Sequence, residues 1–185
     1  MTELNDYSGP IKDDLKLEDF SKEFIVKLAR EWQGMALKWE ELWHKTLEAR
    51  LGKEEADRWE LDFWLEQARV GWPRMAALAK IPVKDAVDLC KVSHLILEGS
   101  MAFQPVGSFE IIDRNHVIWT ARRCLNLEYL EKADPGRIMH VCHQVEGFCM
   151  NSYFQLLLPT ARATPLKLPP RASRDEIACQ WDITV

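Results

Sequence analysis

Between His140 and Cys149 the sequence reads HVCHQVEGFC, a run of ten residues holding two thiols, two imidazoles and a carboxylate. Thiolate, imidazole and carboxylate are the side chains that hold zinc, and a thiol near an imidazole is the raw material of a nucleophile. On an α-helical wheel with Cys142 at zero, Glu146 falls at about +40° and Cys149 at about −20°. The three form one stripe. Ile138, Val141, Val145 and Phe148 fall on its apolar side. Arg137, His140, Gln144, Gly147 and Asn151 fall opposite and are expected to be wet, and His143 lies on the edge between.

Three further cysteines complete the set: Cys90, Cys124 and Cys179. Cys124 follows a hairpin pattern and Cys179 opens a strand pattern. A packed hairpin, helix and strand would therefore bring sulfur atoms from distant positions together. The candidate metal ligands are Cys124, Cys142, Glu146, Cys149 and Cys179, with zinc as the ion. No CxxC pair is present, and the spacings are not those of a zinc finger. Other readings stand beside this one. Free cysteines are commonly plain core residues. Glu146 is open to pairing with Arg122 or Arg123. Cys142 and His143 are candidate catalytic residues. Neighbours on a helix point about 100° apart, however, so a histidine from elsewhere, His94 or His116, is the better base for a Cys142 nucleophile.

The elements that must position these residues are legible from periodicity. Residues 1–16 read as an extended arm. Phe20, Phe24, Leu28, Trp32, Met35, Trp39, Leu42, Trp43 and Leu47 recur at helical steps, and Gly52 is a stop. A second helical pattern runs from Lys53 to Val70. Gly71-Trp72-Pro73 is expected to break it, with Pro73 in the first turn of a short helix to about Lys80. Val83–Leu97 reads as another helix. After Gly99 the period changes: strands near 106–112 and 116–123 flank a turn at Asp113-Arg114-Asn115. Asp134-Pro135 starts a helix running to about Leu157. ATPLKLPP is extended, and ACQWDITV is a strand burying Cys179, Trp181 and Ile183. The sum is an α+β chain, a helical N-terminal half packed on a small, mostly antiparallel sheet with one long C-terminal helix. One domain is expected over 1–185, divided into the arm (1–16), a Trp-rich helical half (17–98) and a hairpin–helix–strand half (99–185).

Composition narrows the function classes. The net charge is −5 without a basic block, which disfavours nucleic acid. No apolar run of membrane-spanning length occurs and no signal-peptide pattern opens the chain, so a cytoplasmic protein with reduced thiols and no membrane partner is expected. Six of the eight tryptophans lie between Trp32 and Trp72. At helical spacing they read as core or as the face of a homodimer.

The order of ARRC, CHQVE, PLKLPPR and EIACQWDI over residues 103–185 resembles the aminothiazoline-carboxylate hydrolase-like proteins and, more remotely, the 4-vinyl-reductase-type small-molecule-binding domains. The resemblance implies a structural zinc site beside an aromatic ligand pocket. In the second group a glutamate three residues before a cysteine supplies two of the ligands, a spacing matched here by Glu146 and Cys149. Cys142 is the alternative to Cys149. Three functions are thus expected to compete. The first is a small-molecule-binding domain with a Cys/Glu zinc site. The second is a hydrolase using a cysteine nucleophile or a metal-bound water. The third is a dimeric interaction module without metal.

Overall fold

The computed structural model describes residues 3–96 and 107–185, apart from the side chain of Leu37. The expected change of period at Gly99 and the end of the Val83–Leu97 helix lie outside the described residues. The chain divides into two compact units, Met1–Trp43 and His44–Val185.

In the first unit the arm is tied to the start of the helical region. Leu4 N–H donates to Asp19 O (2.8 Å), and Ser21 N–H donates to Leu4 O (2.9 Å). A single 3-10 turn, Leu17–Asp19, leads into helix α1, Lys22–Leu51, which continues across the unit boundary. Phe20 is buried and stacks on Phe24. Further along the expected apolar stripe, Trp32, Met35, Trp39 and Leu42 are exposed.

The second unit is α+β. After the last turns of α1, Gly52 turns the chain with φ 84°, the left-handed region that favours glycine. Helix α2 then spans Lys53–Leu78. It runs straight through Gly71-Trp72-Pro73, where a break was expected. Trp72 is 1% exposed. It packs edge-on to Phe154 (5.3 Å between centroids) and against Tyr153 (5.7 Å). Burying about 200 Å² of indole at about 25 cal/mol per Å² contributes about 5 kcal/mol. That outweighs the roughly 3 kcal/mol penalty of an internal proline. Helix α3, Ala86–Ser93, is capped by Asp85, whose carboxylate accepts from Asp88 N–H at 2.9 Å.

Strands β1 (Gly107–Asp113) and β2 (His116–Ala121) form the expected hairpin, its turn closed by Asn115 N–H donating to Asp113 Oδ1. A Cβ on Gly107 would lie 2.1 Å from Thr120 O, so only glycine fits this close approach. Helix α4, Leu125–Ala133, follows in a stretch to which periodicity assigned no element. Next come a 3-10 turn (Pro135–Arg137), a π-helical segment (His140–Val145) and helix α5 (Glu146–Leu157). Strands β3 (Arg162–Lys167) and β4 (Cys179–Thr184) complete an antiparallel sheet of order β1-β2-β4-β3. Val117, Ala163, Trp181 and Ile183 on one face of the sheet join Trp72, Leu89, Tyr153 and Phe154 from the helices in the main core. No helix among the described residues is long and apolar enough to cross a membrane.

Candidate metal centre

Helices α1 and α2 and the π segment bring together a group of titratable side chains in the second unit. Asp57 and Glu60 lie three residues apart on α2, so their carboxylates share a face. The last turns of α1 bring His44 to that face. His44 Nε2 lies 3.2 Å from Asp57 Oδ1 and 3.5 Å from Glu60 Oε2. His140 approaches the same two oxygens, with Nε2 2.9 Å from Glu60 Oε2 and 3.5 Å from Asp57 Oδ1. The other oxygen of Glu60 accepts from the Arg137 guanidinium at 2.6 Å, and the other oxygen of Asp57 pairs with Lys53. His44 and Glu60 are essentially inaccessible, and Arg137 and His140 are also buried; Asp57 reaches the edge.

The charges in this centre are constrained by one hydrogen bond. His140 Nδ1 lies 2.9 Å from Gln144 Oε1; with that oxygen as the acceptor, Nδ1 is the nitrogen that carries the proton. The Nε2 that faces two carboxylate oxygens must then hold a second proton or meet a cation. Burial disfavours the charged ring, but hydrogen bonds to Glu60 and Gln144 outweigh it, so the pKa of His140 is raised. His44 Nδ1 and Arg137 Nε are buried and make no hydrogen bond.

His44, Asp57 and Glu60 each place one ligand atom so that all three lie within 4.8 Å of one another, and the group could hold a metal ion. Zinc–ligand bonds of about 2.0–2.1 Å in a tetrahedral site give ligand–ligand edges of about 3.3 Å. The two edges from His44 Nε2, 3.2 and 3.5 Å, match that figure.

The cysteines expected from the sequence as ligands separate into two places. Cys124 is the N-cap of α4, its Sγ accepting from Leu127 N–H at 3.4 Å. Cys142 lies in the π segment, and Cys179 opens β4. All three pack against one small apolar cluster that includes Leu127, Leu130 and Val141. Glu146 lies close enough to all three for its charge to raise their pKa values, although burial is the larger cause in each case. Cys149 is instead fully buried in the main core, where it hydrogen-bonds with Tyr153. Among the described residues, the cysteine ligand atoms do not close to within 4.8 Å as the His44 group does.

The catalytic candidates are held in other ways. Burial pushes the Cys142 thiol up to about 12, the opposite of an activated nucleophile. His143 Nε2 donates to Pro169 O at 2.5 Å. His94 stacks edge-on with Phe109, and His116 pairs with Asp182 at 2.8 Å. Arg123, a candidate partner for Glu146, forms a bidentate pair with Glu128 at 2.7 and 2.8 Å.

Two expectations about the wheel are corrected. Arg137 and His140 were expected to be wet and are buried, whereas Phe148, placed on the apolar face, is exposed. The π segment is the reason. Its hydrogen bonds run from i to i+5, so each residue turns less than in an α-helix, and the face presented before Val145 is rotated from the one after it. The His–carboxylate centre itself was not read from the sequence. One signal was there: Ala56, Glu60, Ala68, Trp72 and Ala76 are the buried residues of α2 and recur at multiples of four. Glu60 is the single charged residue in that apolar line.

Comparison with known proteins brings no relative: no protein-family model matches the chain, and no curated protein or solved structure does either.

Proposed function

We propose that this chain is a small-molecule-binding domain organised around a zinc-class metal centre, with His44, Asp57 and Glu60 as the protein ligands. The observation that carries this reading is the convergence of His44 Nε2, Asp57 Oδ1 and Glu60 Oε2 in a buried setting. One imidazole and two carboxylates are a ligand set that zinc accepts. Three protein ligands leave a fourth tetrahedral position for water or an exogenous ligand provided that His140 Nε2, which faces the same two oxygens, stays a hydrogen-bond donor to Glu60 and does not itself ligate the ion. The bound molecule would complete the coordination with an oxygen or nitrogen donor.

Arg137 acts as a positioning residue. By fixing Glu60 Oε1 it aims Oε2 at the imidazoles, the outer-shell role that orients metal ligands. Hydrolysis is the second reading, favoured by the same three-ligand count, because an open position on such an ion can activate water.

Calorimetric titration of chelator-treated protein with Zn²⁺ tests the centre. His44→Ala and Asp57→Asn are expected to weaken binding at least tenfold, since even outer-shell partners are worth about that much. Affinity and stoichiometry unchanged in both variants would remove the centre as a metal site.

A further inference from the structure

In the first unit, helix α1 turns its apolar side outward. With Trp32 at zero on a helical wheel, Met35, Trp39 and Leu42 fall at about −60°, −20° and −80°, one narrow stripe. Trp39 is 66% exposed, and Trp32, Met35 and Leu42 are each close to half exposed. Gln33 and Glu41 fall about 140° to either side of the stripe's centre, and both are buried. A surface helix with no partner does the reverse, burying its apolar stripe and wetting its polar side. Within the unit, the arm packs at the start of α1, where Tyr7 meets Phe20 edge-on and Phe20 stacks on Phe24.

We propose that this stripe is the interface of a homodimer, in which α1 of a second copy packs antiparallel on α1 of the first. Spacing is the first reason. Steps of three, four and three residues are those of the a and d positions of a coiled-coil seam, which helices fill with one another. The stripe is also complementary to itself. A two-fold axis between Met35 and Trp39 sets Trp32 against Leu42 of the second copy, and Met35 against Trp39 of the second copy. Each indole then meets a smaller side chain, the alternation of large and small that fills a core, and an isologous contact of this kind closes at two chains. Area is the third reason. The four side chains present about 450 Å² per copy. Both copies, with Glu31 and Lys38 as the polar rim, reach the roughly 1,200 Å² at which stable interfaces begin. Charge argues against a lipid surface as the occupant. Residues 30–41 hold two basic and three acidic side chains, whereas a helix lying on a membrane is rich in Lys and Arg.

The interface does not rest on the metal centre, and the mass of the full chain in solution tests it. Sedimentation velocity across the micromolar range should show a dimer that dissociates on dilution. Trp39→Glu and Leu42→Glu each place a charge in the seam and should weaken dimerisation at least about tenfold. Val70→Glu charges an exposed apolar position on α2 instead and should leave it unchanged. All three substituted side chains are exposed, and circular dichroism checks that the variants stay helical. The mass of the unmodified chain is decisive whether or not they do. A monomer at every concentration overturns the proposal. So does a dimer kept by both stripe variants, or one weakened equally by Val70→Glu. A monomer that instead sediments with phosphatidylglycerol vesicles would make the stripe a membrane face and overturns the dimer as well.

Discussion

Two arginines with buried side chains each hold a glutamate in this chain, and they hold them differently. Near the thiols, Arg171 grips Glu131 through both oxygens, Nε to Oε1 at 2.7 Å and an Nη to Oε2 at 2.9 Å. In the His–carboxylate centre, Arg137 takes only Oε1 of Glu60, and Oε2 turns toward His44 and His140. The first carboxylate has both oxygens engaged by one fork, the geometry of a structural clamp. The second is anchored by one oxygen and presents the other to two imidazoles. An acid that is fixed and still aimed is what a ligand site needs. The difference teaches where function should be sought: in how a buried charge divides its acceptors, rather than in the presence of the charge.

The most forceful way to break this contrast is Glu60→Gln. The substitution keeps the shape but removes the charge facing buried Arg137 and His140. Breaking a buried pair by neutralising one partner costs about 3–5 kcal/mol, so the urea midpoint at pH 7 should fall steeply, and Zn²⁺ binding should weaken with it. A loss below about 1 kcal/mol, the range of an exposed pair, would mean that water screens the centre and that its burial does not govern its energetics.

The clamp gives the next effect, and it should appear in the pH dependence. The Arg171 hydrogen bonds, opposed in part by desolvation, hold the Glu131 carboxyl below its ordinary value. A carboxyl depressed in the folded state contributes stability above its unfolded value of about 4.3. That contribution is lost as pH falls through the lower folded value. Glu131→Gln should therefore cost about 2 kcal/mol at pH 7, the worth of charged hydrogen bonds, and the cost should vanish in acid. Denaturation at pH 7 and at successively lower pH measures both, the cost shrinking as Glu131 takes up its proton. A penalty that stays constant down to the acid limit of folding would assign the effect to side-chain shape. Zn²⁺ affinity at the His–carboxylate centre should be unmoved, which keeps the two roles apart.

The contrast also shows what the sequence could tell. Strands β2 and β4, the hairpin turn and the stop at Gly52 were legible because each rests on local signals: alternation, turn residues, a left-handed glycine. Of the five expected ligands, Cys124, Cys142 and Cys179 pack against one apolar cluster, as a packed hairpin, helix and strand would place them, whereas Cys149 lies in the main core. His44, Asp57 and Glu60 were not legible, since neither a histidine at the end of a long helix nor an Asp-x-x-Glu pair is unusual. The π segment was invisible for a different reason. An i to i+5 turn has no distinguishing composition, so a 3.6-residue wheel sent Arg137 and His140 to solvent when both are buried. Pro73 misled because the local penalty is real, yet it is smaller than the burial of its neighbour Trp72.

The smallest effect belongs to Arg123, and it sharpens the comparison from outside. Its fork on Glu128 has distances as good as those of Arg171 on Glu131. Its side chain, however, is 58% exposed against 1% for Arg171. Geometry is thus held nearly constant while solvation changes. In water, the attraction between the charges is screened, and ordering two long side chains costs entropy. Arg123→Ala should leave the urea midpoint within experimental error, with no change in metal binding at the His–carboxylate centre. If it instead approached the loss from Glu131→Gln, fork geometry would be the controlling variable. Burial would then no longer explain why Arg137 and Arg171 matter.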